Sequence, residues 1–175
     1  MIVKFPSVET LPQAFHRLTP IYKSRKFQPF HLKFQWDRSL ADQVYHISPK
    51  RAEGRIQSYV SADEVLRAKT KLDKQSVSLR FGVKKEGHGI SGSRGDFCLV
   101  AGVLTRKKHL TLYYRSLELL GGLHYDTCIM AFLEDTLEVS LRTIEIYAVE
   151  AHAFALKGNS NEVLYQKLKV IYEKH

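Results

Sequence analysis

Between Leu110 and Leu156 the chain changes its hydrophobic period twice, and that order does most to limit the fold. Leu110 to Tyr114 is apolar enough for a strand. Tyr114-Arg115-Ser116-Leu117-Glu118-Leu119-Leu120-Gly121-Gly122-Leu123-His124-Tyr125-Asp126 reads as the end of that strand, a tight turn and the start of a helix. From Asp126 to Val139 the residues Ile129, Met130, Phe132, Leu133 and Leu137 form a wide apolar stripe, which predicts a buried helix. Thr143 to Leu156 is β-branched and aromatic, so strand again.

The flanks fit the same scheme. Val77, Leu79, Phe81 and Val83 alternate with polar residues, and Phe97–Leu104 with Leu110–Tyr114 predicts a hairpin closed by Thr105-Arg106-Lys107-Lys108. His31 to Trp36 alternates like a strand. Val8 to Tyr22 predicts a short helix ended near Pro20; the rest of the first 50 residues has no clear period. Ser61-Ala62-Asp63-Glu64 has capping-box spacing and opens a helix through Lys71. Lys84 to Gly95, with four glycines, is a loop. Gly158 to Asn161 reads as a turn and N-cap before a final amphipathic helix on Val163, Leu164, Leu168 and Ile171. The expected class is α+β in one domain spanning residues 1–175: a mixed sheet around one well-buried helix, with smaller helices beside it.

At 44% apolar and 26% charged, the chain has the composition of a globular protein. No apolar run approaches the ~20 residues of a membrane helix, so no membrane partner is expected. Cys98 and Cys128 alone make no disulfide framework or zinc site, and no metal is expected. A reducing cytoplasm is the expected location. The formal charge of +9 is spread along the chain, with local concentrations at Lys23–Lys33, Arg67–Lys74 and Arg106–Lys108, which points to polyanionic partners such as nucleotides, nucleic acid or an acidic protein, or to a merely basic surface. Lys84-Lys85, the glycine-rich loop and Arg106–Lys108 are the candidate phosphate-tracking loops, and Tyr113, Tyr114 and Phe97 stack bases only if exposed.

Tyr114-Arg115-Ser116, Glu118, Gly122 and Asp126 resemble the phosphate- and base-binding segment of the thymidylate synthase and deoxycytidylate hydroxymethylase family. Glu150-Ala151-His152-Ala153-Phe154 is similar to the family's His-x-Tyr strand end, with phenylalanine for tyrosine. Leu72-Asp73-Lys74-Gln75-Ser76 is similar to its Asp-Ser-Arg-Arg run, with one cation left, and Gly54 to Tyr59 to its Tyr-Gly segment. The resemblance covers residues 54–156. It implies a thymidylate-synthase-like fold, a homodimer or a place in a larger complex, and a pyrimidine-nucleotide pocket. Arg115, Ser116 and Lys74 would hold the phosphate, Asp126 the base and His152 the sugar. Aspartate at position 126 favours cytosine, because a carboxylate accepts from the N4 amino group.

Each of these residues has a plainer alternative. Arg115 pairs with Glu118 and pins the turn, Asp126 is a helix N-cap, and His152 is a core residue of a strand.

The family's nucleophile is a cysteine upstream of the arginine. In gapless register that place holds Gly95, followed by Asp96. Cys98 takes the role only if the hairpin is shortened, and is otherwise a small buried hydrophobe. The expectation is therefore a catalytically inactive relative without a cofactor, retained for nucleotide binding or as a structural subunit, at home also in a virus particle. Two alternatives stand beside it: an active pyrimidine C5 transferase using Cys98 and folate, and a basic nucleic-acid-binding protein.

Overall fold

A computed structural model describes residues 7–24, 28–82, 98–153, 156 and 160–175. The glycine-rich loop, Phe97 and the Gly158–Asn159 turn lie outside the described residues. In chain order the elements are α1 (Leu11–Ser24), β1 (Gln28–Gln35), α2 (Arg38–Ile47), α3 (Pro49–Tyr59), α4 (Ala62–Leu72), β2 (Val77–Arg80), β3 (Leu99–Leu104), β4 (His109–Glu118), α5 (Gly121–Leu137), β5 (Thr143–His152) and α6 (Ser160–Tyr172). The architecture is α+β with a mixed sheet.

The five strands run in the order β1-β5-β4-β3-β2. Only β4 and β5 are parallel, with Tyr114 opposite Ala148 and Glu118 opposite His152. Parallel neighbours need a crossover, and α5 provides it. The β3–β4 hairpin forms as expected, with Leu104 opposite Leu110 and a register shift between Leu99 and Ala101.

Twelve of the seventeen residues of α5 are buried, so this helix is covered all round rather than along one stripe. Beneath it lie Leu112, Tyr114, Ile144 and Ile146 from β4 and β5. The other helices of the described residues pack around α5 and the strand edges: α2, α3 and α4 against α5, α1 on β1, and α6 on α2. Among the described residues, layer formation is thus one-sided. The opposite face of the sheet carries His31, Glu145, Tyr147, Val149, Tyr113, Arg115 and Val100, among which Val149, Val100 and Tyr113 are well exposed.

Several sequence expectations need correction. α5 begins at Gly121, five residues before Asp126, so Asp126 lies inside the helix and is not its N-cap. The capping is done by Glu118. Its Oε1 accepts from Leu120 N–H at 3.0 Å, and its Oε2 accepts from Gly122 N–H at 2.8 Å and from Gly121 N–H. A Cβ at Gly121 would stand 3.0 Å from Glu118 Oε2, so a larger residue there would push on the capping carboxylate.

Ser61 makes no side-chain cap, because Glu64 turns away to Arg67 and to the Arg80 N–H. α1 continues through Pro20, where buried Leu18 and Tyr22 hold the last turn against the missing donor. Val163 is exposed, and α6 instead buries Leu164, Leu168 and Tyr172. Tyr114 is buried and cannot stack a base, whereas Tyr113 is exposed.

Candidate functional site

The residues singled out by sequence lie near the C-terminal ends of β4 and β5, on both sides of the sheet, with one exception. Arg115 N–H donates to the Cys98 carbonyl at 2.8 Å, so the cysteine sits directly across the strand pair from the arginine. The Cys98 N–H in turn donates to the Tyr59 hydroxyl at 3.4 Å. Ser116 Oγ and His152 Nδ1 approach to 3.4 Å between β4 and β5. The exception is Lys74. It lies in the turn after α4, before Val77, and Val77 pairs with Leu104 at the hairpin end of the sheet. From Leu110, the other partner of Leu104, to Arg115 is about 17 Å of strand. Lys74 and Arg115 of one copy therefore do not share a phosphate.

Asp126 is fully buried and both its carboxylate oxygens are taken. Oδ1 accepts from Arg55 Nε at 2.7 Å and meets Arg55 Nη2 at 2.5 Å. Oδ2 accepts from the Tyr114 hydroxyl at 2.9 Å. Strand and helix fix the acceptor: Tyr114 stands on the covered face of β4, and the second turn of α5 brings Asp126 over it.

The donor comes from α3. There Arg51, Arg55 and Tyr59 recur at four-residue spacing and share one helix face. Arg51 lies over the Tyr125 ring at 5.1 Å, and Arg55 over the Tyr59 ring at 4.6 Å. Burial raises the Asp126 pKa above the usual carboxylate range, while the Arg55 charge and the two side-chain hydrogen bonds pull it back. Burial works against the Arg55 charge too, but the facing carboxylate outweighs it and holds the guanidinium protonated. The Tyr114 hydroxyl is pushed well up, chiefly by burial.

Arg115 belongs to another surface. Its exposed side chain borders an open groove of about 610 Å³ on the uncovered sheet face, with Tyr113, Tyr147, Val149, Val100 and Phe30. On that face His31 stacks on Tyr147 with ring centres 4.1 Å apart, and Tyr147 on Tyr113 at 5.6 Å. Glu145 accepts from Tyr147 at 2.9 Å and bridges His31 and His109 at 2.8 and 2.9 Å. Arg115 and Asp126 therefore stand on opposite sides of the sheet, and any one ligand that meets both must reach over its C-terminal edge.

At the far end of the sheet, Lys69, Arg106 and Lys108 line a second cavity together with Asp73 and Glu138. These cations stand beside the C-terminal ends of α4 and α5, where positive charge is stabilising in its own right. Lys69 is bonded to Glu138 at 2.6 Å. Cys128 is a buried thiol whose pKa burial pushes up to about 12, so it is inert. Among the described residues there is no group of three or more His, Cys, Asp and Glu side chains placed to hold a metal ion. No helix of the described residues is long and apolar enough to cross a membrane.

Arg55 and Tyr59 lie in the Gly54–Tyr59 stretch singled out from sequence, but neither was given a role there, although their spacing with Arg51 carried the signal. Compared with protein-family models and with curated proteins, the chain matches none.

Proposed function

We propose that this chain is a catalytically inactive relative of the thymidylate synthase and deoxycytidylate hydroxymethylase enzymes that holds a pyrimidine nucleotide of the cytidine type. One observation carries the proposal: Ser116 and His152 meet between β4 and β5, Arg115 is the neighbouring residue of β4, and Asp126 lies over Tyr114 of the same strand, with Arg115 and Asp126 on opposite sides of the sheet's C-terminal edge. Arg115 is suited to the phosphate because its charge is permanent and its donors form a rigid fork. Ser116 and His152 offer hydrogen bonds to phosphate and sugar, and Asp126 to N4 of the base. Inactivity is supported by the glycine at the gapless nucleophile position. No folate takes part.

The sheet face that no described residue covers supports a homodimer or a seat in a larger assembly, in the cytoplasm or in a virus particle. Its apolar residues need a partner layer. Val149→Asp should then convert a dimer to a monomer in sedimentation velocity, and a wild-type chain that sediments as a monomer would remove this part of the proposal.

Titration calorimetry with the cytidine and uridine monophosphates tests the binding. Cytidylate should bind tens-fold or more tightly than uridylate, since a lost buried hydrogen bond with a carboxylate facing O4 costs on the order of 2–4 kcal/mol. Arg115→Ala should weaken both. Absence of heat at millimolar ligand would refute the proposal.

A second reading has one observation in its favour. The Cys98 backbone lies across from that of Arg115 and beside Tyr59, which sets the cysteine next to the arginine in the strand pair. Folate-dependent hydroxymethylation of cytidylate that disappears in Cys98→Ser would establish it in place of the inactive form.

A further inference from the structure

Asp126 is closed off by a group that a ligand can imitate. Of its two partners, Tyr114 is 2% exposed and locked beneath α5, whereas the Arg55 side chain is 27% exposed and comes from an outer helix. Arg55 is thus the partner that joins the buried carboxylate to solvent. Its guanidinium is flat, lies over the Tyr59 ring at 4.6 Å and directs in-plane N–H groups at Oδ1. A cytosine ring is also flat, stacks on an aromatic face and directs an in-plane amino N–H outward. Uracil presents a carbonyl at that position and repels the carboxylate.

We propose that Arg55 is a displaceable occupant of a base subsite formed by Asp126, Tyr114 and Tyr59, and that it sets the specificity of that subsite. A cytidine monophosphate takes the place of the guanidinium on Asp126, and the released Arg55 joins Arg115 as a second cation for the 5′-phosphate, which must lie at the C-terminal edge of the sheet. The proposal rests on the nucleotide-binding role above and adds to it the residue that must move.

Charge makes the exchange selective for the phosphorylated ligand. Releasing Arg55 strips a buried carboxylate of its counter-charge, and a neutral nucleoside returns none. The phosphate gives the guanidinium a new anion.

The experiment follows the Arg55 Nε–H signal by nitrogen-15 NMR in the full wild-type chain, assigned by its absence in Arg55→Lys. Calorimetry is run in parallel with deoxycytidylate, deoxyuridylate, deoxycytidine and inorganic phosphate. In the free protein the signal should be protected from solvent exchange by its bond to Asp126. Deoxycytidylate should abolish that protection and bind at least tenfold more tightly than either deoxyuridylate or deoxycytidine. Deoxycytidylate that binds with the Arg55 signal unmoved, or binds no better than deoxycytidine, overturns the exchange while leaving the nucleotide-binding role in place. If deoxycytidylate gives no heat at millimolar concentration, the binding role and the exchange fall together.

Discussion

His124 and Asp126 are two positions apart on α5, both wholly buried, and the fold accommodates them in opposite ways. Two residues of helix place them about 200° apart around the axis. On one side, His124 Nδ1 meets the Tyr172 hydroxyl at 2.7 Å and Nε2 meets the Tyr22 hydroxyl at 3.5 Å. Phe15 packs edge-on against its ring at 5.6 Å. Burial alone drives the His124 pKa down to about 3, so the imidazole is neutral. This aromatic cluster ties α1 and α6 to α5 without a charge. On the other side, Asp126 keeps an ionic partner from α3 that reaches solvent. A neutral, closed contact serves the fold; an ionic contact open to exchange is what a binding site needs. Of the two, only the Asp126 contact has a partner that touches solvent.

Four measurements break or sharpen that contrast. The largest effect is expected from Arg55→Leu, which leaves a buried carboxylate without a counter-charge and should destabilise the chain by about 3–5 kcal/mol in chemical denaturation. Adding Asp126→Asn should recover most of it, since an amide needs no counter-ion. If Arg55→Leu costs less than 1 kcal/mol, Asp126 is neutral already and the two sides of α5 are alike.

Next comes acid. The folded His124 pKa lies below its unfolded value of about 6.5, so the unfolded chain binds the proton first. The stability from keeping His124 neutral is complete above pH 6.5 and is lost as pH falls, by about 2 kcal/mol at pH 5. Asp126 has the opposite sign. Its folded pKa is raised, so the fold takes up that proton before the unfolded chain does and regains stability in the window from the folded value down to about 3.8. Replacing His124 by glutamine should flatten the loss between pH 6.5 and 5; an unchanged slope would place the titrating group elsewhere.

Tyr172→Phe removes one partner of the buried imidazole and should lower stability by about 1–2 kcal/mol, with no effect on any nucleotide affinity. A change in affinity would mean that the aromatic side also communicates with the site. The smallest effect belongs to Glu118→Ala, which uncaps α5 on the Asp126 side and should cost about 1 kcal/mol. Thermal melts that do not move would show that solvent caps the helix as well as the carboxylate does.

What was legible in the sequence was what depends on near neighbours. The alternation at Val77–Phe81, the hairpin at 105–108 and the apolar run of α5 are periodicities, and a period survives into any compact fold. α2 and α3 were missed although Asp37 caps the first, accepting from Ser39 N–H at 2.9 Å, and Pro49 opens the second. Those local signals were masked by an unclear hydrophobic period.

The site divides in the same way. Arg115, Ser116, His152 and Asp126 could be named from residue type and order, because a guanidinium, a hydroxyl, an imidazole and a carboxylate carry their chemistry wherever they are placed. What each one faces was decided only by tertiary structure. The start of α5 moved to Gly121 because Glu118 folds back onto three backbone N–H groups, and that shift turned Asp126 from a helix cap into a buried anion. Its counter-charge, Arg55, lies 71 residues earlier in the chain. Lys74 was separated from Arg115 by the length of the sheet. Burial and long-range pairing depend on which layers meet, and no local pattern in the amino-acid order records that meeting.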